Sequence, residues 1–164
     1  DFERISDHAL SIMKSAREMA AKNAVFSKQA VQELHIMEKA VGDIVDKAYT
    51  VFATQNITLA EEIEPLEEVI DELSRELKRR HVNRLRAGEC TIEMGFILSD
   101  ITTSLERIAD HCSNIGVCVT QVREDLYDTH SHLDGVKNAP GNLFRKELET
   151  AREAYVLPAV VNKG

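Results

Sequence analysis

Four successive segments of this 164-residue chain carry apolar residues at every third or fourth position. In the last segment the spacing holds for nine positions in a row, from Leu98 to Leu126. Such spacing places the apolar side chains along one face of a helix, and that face is buried against other helices. The pattern predicts an all-α fold, an antiparallel helical bundle. Its helices should cover 1–22, 27–54, 60–87 and 91–126.

The breaks between these segments carry residues that cap helices. Ser27 is a candidate N-cap for the second helix, and Thr58 is a candidate N-cap for the third. Gly88 is a candidate C-cap for the third helix, because glycine tolerates the left-handed backbone found there. A polar stretch over 128–142 is rich in turn residues, and one more short helix is predicted near 143–155.

The composition excludes several other classes of protein. Aromatic residues make up only 5% of the chain, with 7 Gly and 3 Pro, which is too few strand and turn formers for an all-β fold. The net charge of -8 has the wrong sign for binding a nucleic-acid backbone. No window reaches the ~18 apolar residues of a membrane span. Three cysteines without a Cys-x-x-Cys pair indicate reduced thiols and a cytoplasmic location.

A short motif occurs twice in the chain. Residues 2–12 and 105–115 are identical at six of eleven positions, including Glu-Arg-Ile and Asp-His. The repeat indicates that the first and fourth helices are each the last helix of a three-helix unit. The predicted organisation is therefore 1–22 as the last helix of a truncated first unit, 23–127 as a second unit, and 128–164 as a C-terminal appendage.

Each copy of the motif holds two acids four residues apart, Glu3 and Asp7 in one copy and Glu106 and Asp110 in the other. The heptad register of the fourth helix places its two acids on the outermost stripe, away from the core. Acids one helical turn apart repel each other unless a cation lies between them. For a single pair of this kind, a solvated face is the commoner explanation.

A third pair, Glu67 and Asp71, lies on the helix that precedes the second motif copy. Carboxylates from neighbouring helices, without thiolates, make a hard oxygen site suited to iron, manganese, magnesium or calcium rather than zinc. All six acids of the three pairs are candidate metal ligands. There is no Gly-rich phosphate loop and no hydrolase or zinc-protease motif, so no catalytic residue is predicted.

The second motif copy, LERIADHCSNI over 105–115, resembles the ERIGDHAxNI signature of PhoU-like domains, and 2–12 is similar to a first copy. The segments around Phe26-Ser27, Glu67 to Leu73 and His81 to Cys90 resemble the PhoU domain at the C-terminus of bacterial sodium-dependent phosphate cotransporters. The resemblance covers about 1–127. Ser6 and Ala109 stand where the signature has glycine, which should matter little on a helix.

This resemblance implies two three-helix repeats, Glu-x-x-x-Asp motifs that bind multinuclear metal clusters, and a non-enzymatic role in controlling phosphate uptake. The chain would be a soluble cytoplasmic domain at the inner face of the membrane, with the transporter's membrane domain as its partner. The alternative is a free-standing carboxylate–metal bundle, either a metal store or an oxidase. Because the first helix lacks its two companions, we also expect self-association or helix exchange, for example as a homodimer.

Overall fold

The computed structural model of the chain describes residues 1–124 and 143–160. Within them the regular structure is entirely helical, which confirms the predicted all-α class. The helices are α1 (Phe2–Ala21), α2 (Lys28–Thr54), α3 (Ile57–Ala60), α4 (Ile63–Arg86), α5 (Ile92–Glu124) and α6 (Leu143–Ala154). The polar stretch predicted over 128–142 and the helix end predicted at 126 lie outside the described residues.

Two of the predicted caps are confirmed by hydrogen bonds. The Ser27 side chain accepts a hydrogen bond from the backbone amide of Ala30 at 3.2 Å and starts α2. Beyond the end of α4, Gly88 has a φ of 71°. The amide of Glu89 then turns back and donates to the carbonyl of Arg84 at 2.9 Å. This arrangement satisfies carbonyls that the end of a helix leaves without partners.

The prediction that Thr58 caps the third helix is wrong. Asn56 is the cap, because its side chain accepts a hydrogen bond from the amide of Leu59 at 3.2 Å and starts the one-turn helix α3. Thr58 lies inside α3. The long helix α4 begins separately at Ile63, and Pro65 lies in its first turn, where a helix does not need the amide hydrogen that proline lacks.

Helices α2, α4 and α5 form the bundle and bury their apolar stripes against one another. Ser113, late in α5, donates a hydrogen bond to Glu64 at the start of α4, so these two helices run in opposite directions. Helix α5 is the central element, since it also contacts α1 and α3. The side chains without exposed surface include Met37, Ile44, Ile70, Leu77 and Cys112.

Helix α1 lies along α5 and runs antiparallel to it. Lys22, just beyond the end of α1, pairs with Glu93 in the first turn of α5. At the other end, Asp1 is 3.0 Å from Nδ1 of His111. The two histidines of the repeated motif meet in this interface, where the rings of His8 and His111 stack with centroids 5.6 Å apart. The two motif copies therefore pack against each other.

The outer face of α1 is exposed where the equivalent face of α5 is buried. Leu10 and Met13 are 48% and 38% exposed. Their counterparts in the repeat, Ser113 and Gly116, are buried against α4. The difference arises because α5 has α3 and α4 on that side. Helix α1 instead packs along α5 and meets α2 at its first turn, where the rings of Phe2 and Phe52 lie 5.3 Å apart. The exposed apolar residues agree with the expectation of self-association, which stays a prediction.

Helix α6 packs on α4. Its Arg152 pairs with Glu72, and Tyr155, just after the helix, donates a hydrogen bond to Asp43 of α2. None of its residues is fully buried, so α6 covers the bundle without entering its core.

None of the helices in the described part of the chain has the length and apolar character needed to cross a membrane. The division of the chain at residues 22 and 127 stays a prediction.

Candidate metal centre

Three carboxylates from two helices come together at the contact between α4 and α5. Glu67 and Asp71 lie one turn apart on α4, and Asp110 reaches them from α5. One ligand oxygen of each residue lies within 4.8 Å of the others, and all three residues are half-buried. The antiparallel pairing of α4 and α5 brings the two motifs to the same level of the bundle.

In the part of the chain that the structure describes, Asp71 is the member of this group that has an unpartnered oxygen. Its Oδ1 is buried and has no hydrogen-bond partner among the described residues. Burial raises the pKa of the Asp71 carboxyl, and the charges of Glu106 and Asp110 raise it further. A buried carboxylate oxygen without a partner is costly, and a cation between the three carboxylates would supply both the missing contact and the missing positive charge.

Glu106 stands beside this group but already has partners. It accepts hydrogen bonds from Ser74 at 2.7 Å and from Lys78 at 3.2 Å, both on α4. Burial alone would raise the pKa of this carboxyl, but the two hydrogen bonds and the charge of Lys78 hold it below its ordinary value. Glu106 is therefore bound to α4 through a hydroxyl and an ammonium group.

The predicted exposure of Glu106 and Asp110 to water is wrong in part. Their side chains are 29% and 32% exposed, so both are half-buried. The heptad register considered only one apolar seam, whereas α5 has helices packed on several sides. Asp110 keeps one link to the surface, a hydrogen bond of 3.1 Å from Arg107.

The acids of the first motif copy lie apart from the three-carboxylate group. Glu3 and Asp7 are exposed on α1, and neither belongs to the group formed by Glu67, Asp71 and Asp110. The structure thus brings together three of the six candidate ligands and places Glu106 next to them. The histidines of the motif, His8 and His111, pack in the α1–α5 interface instead.

A second cluster of charges was not foreseen from the sequence. Glu33 of α2 has no exposed surface and is held by Arg84 at 2.8 Å and by Arg80 at 3.1 Å, both from α4. Arg80 also donates to Glu76 at 2.8 Å and to the carbonyl of Pro158 at 2.6 Å. This network joins α2, α4 and the segment after α6.

A signal for this network was present in the spacing. Glu33 stands next to Leu34 and between Ala30 and Met37, which are core positions of α2. Arg84 continues the apolar stripe of α4 at its C-terminal end. A charged residue on an apolar stripe requires a buried partner of opposite sign. Opposite charges on the stripes of two antiparallel helices would have suggested the pair.

The fold and the site define a class of protein: a helical bundle in which neighbouring helices bring carboxylates together. Within that class, this chain belongs to the PhoU domain family, which matches residues 34–119. The matched residues include the three-carboxylate group and most of the bundle, and they exclude α1 and α6.

Two curated relatives carry the family's name. The phosphate-specific transport system accessory protein PhoU homolog 1 of Thermotoga maritima is 28% identical over 115 residues, which are 70% of this chain and 49% of that protein. The phosphate-specific transport system accessory protein PhoU homolog of Deinococcus radiodurans is 26% identical over 115 residues, 70% of this chain and 53% of the relative. The chain therefore spans about half the length of these relatives. No solved structure is significantly similar to it.

Proposed function

We propose that this chain is a regulatory domain that modulates phosphate transport, and that it binds a divalent cation at Glu67, Asp71 and Asp110. Membership of the PhoU family and the names of the two relatives support the first part. The buried Oδ1 of Asp71, which has no partner among the described residues, is the observation that carries the second part.

The donor set favours hard or borderline cations. Three carboxylates without a thiolate suit iron, manganese, magnesium or calcium. Because the ligands come from both α4 and α5, a bound cation would link the two helices and stabilise the bundle by mass action. Glu106 is a fourth candidate ligand, provided that its ion pair with Lys78 is broken. Glu3 and Asp7 stay candidates because they occupy the same positions in the other copy of the repeated motif.

The partner in this proposal is the membrane domain of a sodium-dependent phosphate cotransporter, at the cytoplasmic face of the membrane. The resemblance of the bundle segments to the PhoU domain of such transporters supports this choice. The role is regulatory and not catalytic, as the accessory role in the relatives' names suggests.

A free-standing metal store or oxidase remains the alternative class. Di-iron oxidases of the four-helix type place Glu-x-x-His motifs inside the bundle. The carboxylate group found here contains no histidine, so we favour the regulatory function.

Phosphate uptake in cells tests the regulatory proposal. We expect cells carrying the Asp71→Asn/Asp110→Asn double variant to lose the adjustment of uptake to external phosphate that cells with the parent protein show. The measurement is the initial rate of labelled phosphate uptake after growth in high and low phosphate. Asp46→Asn, an exposed acid on α2, is the matched control. Unchanged adjustment in cells that contain the folded double variant would contradict the proposal.

A further inference from the structure

A polar cleft of about 530 Å³ lies between α1 and α5, beside the stacked histidines. Its walls carry four hydroxyl side chains together with Lys14 and Arg107. The four hydroxyls belong to Ser11, Ser15, Thr103 and Ser104. A cleft with several hydroxyl donors and two cationic side chains has the chemistry that recognises a small oxyanion.

Ser104 offers a hydrogen-bond donor in the wall of the cleft. Ser104 is only 8% exposed, and its side chain lines the cleft. Within the described part of the chain, its hydroxyl has no hydrogen-bond partner. This hydroxyl is therefore free to donate a hydrogen bond to a ligand oxygen in the cleft.

The two cations of the cleft are also available for binding. Lys14 has no ion pair or hydrogen bond with any described residue. Arg107 uses one of its five N–H donors on Asp110. The wall also carries two acids, Glu18 and Asp100. Glu18 forms an ion pair with Lys22 at 2.7 Å, whereas the carboxylate of Asp100 has no partner among the described residues.

We propose that this cleft binds inorganic phosphate. Lys14 and Arg107 hold the negative oxygens, Ser104 donates a hydrogen bond, and Asp100 accepts the hydroxyl hydrogen that phosphate still carries at neutral pH. Sulfate and the dianion of a phosphate monoester carry no such hydrogen, so Asp100 repels them. The inference deepens the proposed regulatory function, because it gives the domain a direct site for the transported ion.

Arg107 connects this cleft to the carboxylate group. It pairs with Asp110 and so offsets part of the negative charge there. When phosphate draws the guanidinium of Arg107 into the cleft, the negative charge of Asp110 is less offset. The three carboxylates then bind a cation more strongly. By linkage, a bound cation strengthens phosphate binding by the same factor.

Calorimetric titration with phosphate, sulfate and glycerol 3-phosphate tests the site. The parent protein, freed of metal with chelator, should bind phosphate at least tenfold more tightly than either other anion. Lys14→Gln should weaken phosphate binding at least tenfold, and Ser104→Ala by several-fold. Asp100→Asn should reduce the difference in affinity between phosphate and sulfate. The control is Lys28→Gln, which replaces an exposed lysine at the start of α2 and should leave the affinity for phosphate unchanged.

Absence of phosphate binding at millimolar concentration, equal binding of the three anions, or no effect of Lys14→Gln would each overturn the site. Since these titrations use metal-free protein, their outcome does not depend on the cation. Phosphate binding without any metal binding would support the cleft and reject the proposed cation site. Metal binding without phosphate binding would support the cation site and reject the cleft.

Discussion

Replacing Glu33 with glutamine should lower the free energy of unfolding by about 3 to 5 kcal/mol. Glu33 has no exposed surface, and its carboxylate lies between the guanidinium groups of Arg80 and Arg84. Glutamine keeps the size of the side chain but removes its charge. Arg84 then remains in the interior without a compensating anion, while Arg80 keeps its pair with Glu76. Breaking a buried pair from one side in this way is costly, because it leaves an uncompensated charge.

Urea denaturation followed by circular dichroism measures this loss. The matched control is Glu38→Gln, also on α2, where the side chain is 55% exposed and 3.8 Å from His35. An exposed pair of this kind contributes little, so the control should stay within about 0.5 kcal/mol of the parent. A loss below about 1 kcal/mol for Glu33→Gln would show that the charge network does not hold α2 and α4 together.

Truncating the α5 core should have an effect of similar size. Leu105→Ala or Ile108→Ala should cost about 2 to 5 kcal/mol, because both side chains are 5% exposed and their removal leaves a cavity. Leu10→Ala on the outer face of α1 makes the same chemical change at an exposed position and should cost less than about 0.5 kcal/mol. Equal losses at Leu105 and Leu10 in urea denaturation would contradict the central placement of α5.

Glu106 gives an intermediate case in the same experiment. A water-facing acid would leave stability unchanged on substitution. Because Glu106 accepts hydrogen bonds from Ser74 and Lys78 between the helices, Glu106→Gln should instead cost about 1 kcal/mol in the metal-free protein.

The sequence predicts those parts of the fold that depend on local signals. The start of α2 follows from the capping side chain of Ser27, and the end of α4 follows from the backbone freedom of Gly88. The break before the third helix follows from the same kind of signal, but the identity of its cap does not. Asn56 and Thr58 are both residue types that cap helices, and Asn56 is the one that accepts the hydrogen bond from the amide of Leu59. Local patterns do not decide between two adequate caps.

Contacts between distant residues account for the remaining differences. The heptad register of α5 does not show that four other helices contact this helix. It therefore predicts more exposure to water for Glu106 and Asp110 than the structure has. Glu33 and Arg84 are 51 positions apart, and their pairing depends on how α2 and α4 align. For the same reason, the three Glu-x-x-x-Asp motifs were visible as candidates, while the selection of Glu67, Asp71 and Asp110 required the packed bundle.

The metal content of protein purified without chelator tests the cation site most directly. We expect the parent and Asp46→Asn to retain a divalent metal, and Asp71→Asn and Asp110→Asn each to lose most of it, because α4 and α5 must both supply ligands. Both variants should still fold, since each removes charge from a group of like charges, and circular dichroism checks this. Equal metal content in all four proteins would contradict the account and show that the three carboxylates do not bind the cation.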